Sequence, residues 1–276
     1  IAWKNAHSIA GNGIRIVGAH TDSPGLHIKP NPDTRTLNWH QLQVEVYGGP
    51  LLNSWLDRDL GIAGHVVLRD GSTSLFASQL PVARIPQLAI HLDREVNDKG
   101  LILNRHQHLT PIWATTASSV SFESWLAQQV SVSASQIASW STQLVDTQKA
   151  QIIGRDSEFV ASSRIDNQIS CWAALSALLG VNSDQPMMIA LFDHEEVGSQ
   201  SSQGAGGPML EHVLERLSVA AGSSRSDYLV SLQKSHCVSA DNAHAVHPNY
   251  VDRHELNHAP LINEGVVVKT IVSQRY

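Results

Sequence analysis

The 276-residue chain has little of what would direct it to a membrane, an oxidising compartment or a nucleic acid. No apolar run approaches the ~18–20 residues of a spanning helix, and the opening IAWKNAHS lacks the charged and apolar regions of a secretory leader. Its two cysteines, Cys171 and Cys237, sit in apolar segments and make no disulfide framework, so a reducing cytoplasm is the expected compartment. Lysine and arginine number 19 against 25 acids, a net charge of −6, and no basic cluster stands ready to neutralise phosphates. Nucleic acid and anionic membrane surfaces are therefore excluded as expected partners, leaving small molecules, peptides and proteins.

What is present suits a globular protein. At 42% hydrophobic and 16% charged residues, the chain can bury a core for one large or two moderate domains. It opens on Ile1 and closes on SQRY directly after the strand-like VVVKTIV, so it is expected to be a piece of a longer protein, because a terminal apolar strand leaves surface that a complete domain would cover. Fifteen histidines invite a metal hypothesis without establishing one.

Two rhythms divide the chain. GIRIVGAH (13–20) is a short apolar run ending in polar residues, a buried strand entering a loop. Between 31 and 114, QLQVEVY, IAGHVVLRDG and ARIPQLAIHL are β-rich runs separated by Gly, Pro and Asp, expected to form mostly antiparallel sheet. Over about 117–145, the spacing of Phe122, Trp125, Leu126 and Val130 predicts an amphipathic helix, and the sheet pattern resumes near QLVDTQKAQIIG. Past residue 160, QISCWAALSALLG predicts a helix apolar nearly all round, hence buried, and stopped by its glycine. MMIALFD, PMLEHVLERLSVA, HCVSAD and GVVVKTIV follow as strand, helix, strand and strand. The expected fold class is α/β, a mostly parallel sheet covered by helices (1–30 and 155–276) with a β-rich domain inserted at 31–154.

In open α/β sheets the functional groups gather where strands end at their carboxyl edge. Here GIRIVGAH ends in His20, with Asp22 two residues on; MMIALF ends in Asp193, His194, Glu195 and Glu196; HCVSA ends in Asp241, followed by His244 and His247. Asp166, in SSRIDNQIS, stands just before the long helix. Taken singly, each has an ordinary explanation: a surface His-x-Asp pair, a helix N-cap, a solvated acidic loop. Their joint occurrence at successive termini outlines a dinuclear metal constellation, and this mix of carboxylate and imidazole suits zinc, manganese or cobalt.

The stretches GAHTDSPGLHIKP, YGGPLLNSWLDRDLGIAG, RIPQLAIHLDREVN, SSRIDNQISCWAAL, FDHEEVGSQSSQGA, SADNAHAVHPNY and VVVKTIVSQRY resemble, in order and over nearly the whole chain, the motifs of the aspartyl aminopeptidases, metallopeptidase family M18. The resemblance implies a dinuclear zinc peptidase fold whose β-rich insert serves dimerisation and oligomerisation. It also implies release of N-terminal Asp or Glu from peptides by a hydroxide held between two divalent metal ions, in a homo-oligomer expected to be a dodecamer. Residue by residue, it implies His20 and Asp241 as ligands of one metal, Asp166 as the bridging carboxylate and Glu196 as a ligand of the second. Glu195 corresponds to the general base and Asp22 to the acid that orients His20. Lys269 corresponds to the lysine facing the acidic substrate side chain, and His108 to an insert histidine that reaches the site of a neighbouring subunit. The Asp166–Asn167 peptide bond is expected to be cis.

One ligand departs from the pattern: the family's last metal-binding histidine lies beyond SQRY, so the second metal is one ligand short in this sequence. Two other functions stay open on sequence alone. One is a related dinuclear deacylase or carboxypeptidase, against which the insert and SADNAHAVHPNY count; the other is a catalytically degenerate assembly subunit.

Overall fold

The computed structural model describes residues 1–270; Ile271 to Tyr276, and with them the end of the VVVKTIVSQRY motif, lie outside the described residues. The chain divides into two compact units: Ile1–Thr21, Asp166–Asp193 and Ser201–Tyr276 form the first, Asp22–Ile165 with His194–Gln200 the second. The boundaries expected at 30/31 and 154/155 fall inside the second unit, because the strand Gly25–Thr36 and the hairpin Gln151–Ile153 with Phe159–Ala161 belong to it.

The first unit holds a four-stranded sheet ordered Ala2–Lys4, Met187–Phe192, Arg15–His20, His236–Ser239. Met187–Phe192 and His236–Ser239 both run parallel to Arg15–His20, and Ala2–Lys4 is the antiparallel edge. Period-two alternation sends neighbouring side chains to opposite faces. Ile16 and Met188 pack with Leu214 of the helix Met209–Ala220 and Tyr228 of the helix Arg225–Lys234; Ile189 packs with Ala174 and Leu178 of the helix Ile165–Gly180. Helices thus cover both faces, as parallel sheets require.

Two expectations for this unit need correction, and one helix is added to them. The helix Ile165–Gly180 buries Cys171, Ala174 and Leu178 but exposes Trp172 (66%) and Leu179 (67%), since a helix lying on one sheet hides one stripe however apolar the rest. Gly265–Thr270 carries no strand, and Val266 and Val268 are exposed: apolarity favours a strand only where a neighbouring strand accepts its hydrogen bonds. The helix Arg225–Lys234 was not anticipated from the apolar pattern, which is weak there. Its start is marked by Ser224, whose hydroxyl accepts the Asp227 N–H (3.1 Å), while the Asp227 carboxylate accepts the Ser224 N–H (3.0 Å).

The second unit holds, besides the two-stranded hairpin of Gln151–Ile153 and Phe159–Ala161, a six-stranded antiparallel sheet ordered Thr73–Ala77, Leu60–Leu68, Ile137–Asp146, Gly25–Thr36, Trp39–Tyr47, Ile112–Thr115. Leu26, Leu42, Leu60, Ile62 and Leu144 from its strands close on Phe122 and Leu126 of the helix Phe122–Gln129. That helix is shorter than the 117–145 expected, because Ser131 turns into the left-handed region and the chain then joins the sheet as Ile137–Asp146. ARIPQLAIHL makes isolated bridges at Ala83, Arg84 and Ile85 but no strand; Pro86 has no N–H to extend a ladder. Among the described residues no helix is long and apolar enough to cross a membrane.

Candidate metal centre

In the first unit, three chain ends converge. His20 is the last residue of the central strand, 5% exposed, and its backbone carbonyl accepts the Cys171 thiol at 3.0 Å. Asp241 follows the parallel strand His236–Ser239, and Asp166 opens the helix Ile165–Gly180. Asn167, fully buried, donates its amide to the Ala240 carbonyl at 2.8 Å, tying the start of the helix to the residue before Asp241. The Asp166–Asn167 peptide is cis, as the resemblance implies.

The result is His20 Nε2 at 3.4 Å from Asp166 Oδ1 and 3.6 Å from Asp241 Oδ1, with a potential ligand atom from each of the three residues inside 4.8 Å of the others. Burial pushes the Asp166 carboxyl above its ordinary range, and the Asp241 charge adds to the rise against the opposing pull of His20 and Lys269. Burial also works to raise Asp241, but the Asn242 N–H and the Lys269 ammonium outweigh it and hold that group below its ordinary value. Two acids crowded against one imidazole, one of them unfavourably charged, make a donor set whose strain a divalent cation would relieve; the residues fit a metal ion. Lys269 Nζ lies 3.4 Å from Asp241 Oδ2 and donates to the Asn242 carbonyl at 2.6 Å, so this lysine faces the acid-lined end of the sheet.

In the second unit, Asp22 organises the acidic turn. Glu195 N–H donates to its Oδ1 (3.2 Å), Glu196 N–H to its Oδ2 (3.1 Å), and the Tyr47 hydroxyl to the same Oδ2 (2.7 Å). Burial opposes the Asp22 charge, yet these bonds, Tyr47 foremost, win and lower its pKa. The turn is one 3₁₀ turn, Glu195–Val197, entered through His194 and left through Gly198, both left-handed, and closed by Ser199 N–H on the His194 carbonyl at 2.8 Å. His108 sits on an exposed turn of the same unit, its Nδ1 accepting the Asn104 N–H at 3.1 Å.

The sequence reading brought out His20, Asp166 and Asp241, which the structure brings together, and Asp22, Glu195 and Glu196, which it also brings together. Tyr47 and Asn167 were missed. Tyr47 could have been suspected from its place at a strand end before Gly48-Gly49; nothing in the sequence marks Asn167 apart from its neighbour.

Comparison with known proteins defines the class first. The chain superposes on solved aminopeptidases: on the Ape4 chain in a cryo-EM structure of the Ape4 and Nbr1 complex (TM-score 0.84, 35% identity, 92% of this chain, 54% of that one). An M18 aminopeptidase from Thermotoga maritima gives 0.80 at 27% identity over 91% of this chain and 59% of that one, and the Saccharomyces cerevisiae mApe1 dodecamer 0.76 at 28% over 92% and 60%. This is the α/β fold of the dinuclear zinc peptidases. Residues 1–276 match the family described as aminopeptidase I zinc metalloprotease (M18), and the chain belongs to it. Among curated relatives, the probable M18 family aminopeptidase 2 of Streptomyces coelicolor is 45% identical over all of this chain, and that of Pseudomonas fluorescens 46%. The chain spans 66% of the length of each.

Proposed function

We propose that the protein to which this chain belongs is a metal-dependent aminopeptidase that releases N-terminal Asp or Glu from peptides. The observation that carries the reading is the convergence of His20, Asp166 and Asp241 in a chain of the M18 family. His20 and Asp241 would hold one divalent ion, with Asp166 as the shared carboxylate, and Glu196 would serve a second; zinc is the favoured metal, with manganese and cobalt as chemically suited substitutes. When bound, such ions polarise the scissile carbonyl and acidify the attacking water.

The remaining work falls to side chains. Glu195 removes a proton from the water as its oxygen attacks the carbonyl carbon, then delivers that proton to the amine nitrogen as the C–N bond breaks, yielding a free acidic amino acid and a shortened peptide. Asp22 supports this by holding the amides of both glutamates. Lys269, whose ammonium already attracts one carboxylate, gives acidic specificity: an acidic substrate side chain adds a charge pair with it that a neutral side chain forgoes. His108 contributes from the insert of a neighbouring subunit. Assembly as a homo-oligomer, dodecameric by likeness to mApe1, is supported by the exposed apolar hairpin of the second unit, where Ile152 (62%) and Val160 (64%) face solvent in one chain. A cytoplasmic location completes the proposal.

The test uses the full-length protein with Glu-, Asp- and Leu-p-nitroanilides. Cleavage of the acidic substrates, loss of about 10²–10⁴ in kcat in Glu195→Gln, and retained metal support the assignment. Hydrolysis of Leu but not Glu refutes the acidic specificity and the role of Lys269. A Glu195→Gln variant as active as the parent refutes the base.

A further inference from the structure

The acidic turn of the second unit is too short to hold itself. One 3₁₀ turn between two left-handed residues has few internal bonds, yet a general base must sit within a few tenths of an ångström of its working position. One external anchor is Asp22, which accepts the Glu195 and Glu196 N–H groups, and Tyr47 donates to Asp22. The sheet register explains how: Tyr47 ends the strand Trp39–Tyr47 opposite Gly25, the first residue of the neighbouring strand, which leaves Asp22 three residues before that pair and within reach of the phenol. The Tyr47 ring stacks on His27 with centroids 4.6 Å apart and planes 14° from parallel, which fixes the direction of its hydroxyl. The next residue, Gly48, has φ +68°, and a Cβ there would lie 3.1 Å from Glu196 Cβ and 3.3 Å from the Glu196 carbonyl oxygen. The strand end and the turn are therefore in close contact, and a side chain at residue 48 would press on Glu196 as well as strain the left-handed backbone.

We infer that Tyr47 is a positioning residue for the peptidase reaction: its hydroxyl, 2.7 Å from Asp22 Oδ2, locks the carboxylate that anchors the Glu195 and Glu196 amides, and so sets where the base stands. The inference rests on the proposed function for the role of Glu195, while the anchoring rests on the hydrogen bonds alone. Without the hydroxyl, Asp22 loses the shortest of these three hydrogen bonds, and its carboxylate is held less firmly against the two amides. The base then samples positions off the line of attack, which lowers kcat with little effect on substrate binding.

The experiment compares full-length parent, Tyr47→Phe, Asp22→Asn and the double variant. Tyr47→Phe keeps the ring and its stack on His27, so the fold is retained. The expected result is a fall in kcat of about tenfold, KM within about twofold and unchanged zinc content. The double variant should be no slower than Asp22→Asn alone, because Tyr47 acts through Asp22. Hydrogen exchange of the peptide covering 190–200 should quicken about tenfold in Tyr47→Phe. Unchanged exchange overturns the anchoring, and unchanged kcat in an active parent, or losses that multiply in the double variant, overturn the positioning role. If the parent fails on acidic substrates or Glu195→Gln stays active, the proposed function and the catalytic part of this inference fall, and exchange alone decides whether Tyr47 anchors the turn.

Discussion

Two aspartates shifted in opposite directions respond to pH with opposite sign. Asp22 is held below its ordinary value, so it stabilises the folded chain above the unfolded pKa of 3.8, and that contribution disappears as pH falls through the folded value. Asp166 is raised, so in the metal-free protein its ionised form opposes folding at neutral pH, and the penalty lifts as pH falls through the raised value. In chelator at pH 7, Asp22→Asn should lower the thermal midpoint by about 3 °C. Asp166→Asn should raise it by about 1 °C or less, since its side chain is 58% exposed and solvent screens the repulsion. A lowered midpoint in Asp166→Asn would show that the carboxylate is stabilised by partners and not crowded by Asp241. His20, Asp241 and the two glutamates were legible because each follows an apolar run, and strand ends are where side chains of that kind gather; Asp166 was legible from its place before the long helix. Tyr47 was marked only by its place at a strand end before Gly48-Gly49; its role depends on which residue stands opposite it in a neighbouring strand, and register is invisible in a run of letters.

At the scale of elements, one glycine and one aspartate decide whether the second unit's sheet closes. Gly64 adopts φ +154° in the strand Leu60–Leu68, and a Cβ there would meet the Ser141 carbonyl oxygen at 2.2 Å. Gly64→Ala must push the strand Ile137–Asp146 away, at a cost of about 3 kcal/mol read as a lower urea midpoint. Asp33 accepts the Phe122 N–H at the first turn of the helix and pairs with the fully buried His40 at 2.7 Å. Asp33→Ala strands both partners and should cost about 2–3 kcal/mol by the same measurement; a change under about 0.5 kcal/mol would mean that water replaces the carboxylate. Alternation exposed most strands to reading, but Gly25–Thr36 escaped it: Pro30, Asn31 and Pro32 look like a loop, whereas the chain carries them through a register shift between Ile28 and Asp33. The overestimated helix at 117–145 failed for the converse reason, since the 3.6-residue spacing ends with Val130 and the Ser/Thr-rich remainder alternates toward the core.

For the whole molecule, metal and assembly are the measurable consequences. Zinc that binds the folded protein alone at about 1,000 times its Kd adds about 4 kcal/mol, so chelation should lower the midpoint by several degrees and zinc should restore it. Sizing of the full-length protein should give a large homo-oligomer, and Val160→Glu on the exposed hairpin should shift it to smaller species; a monomeric parent at micromolar concentration would refute the assembly and the in-trans role of His108. The grouping of residues 194–200 with the insert has a further consequence for anyone reshaping this protein. The insert reads as a detachable module, and trimming it to leave a minimal α/β hydrolase is an obvious engineering step. A cut at the boundaries of the second unit would also remove Asp22, Tyr47 and Gly48, groups against which Glu195 and Glu196 are seated, and a cut at 31 and 154 would still remove Tyr47 and Gly48. A minimal version would need a redesigned cradle for those two glutamates before any change of specificity could be attempted.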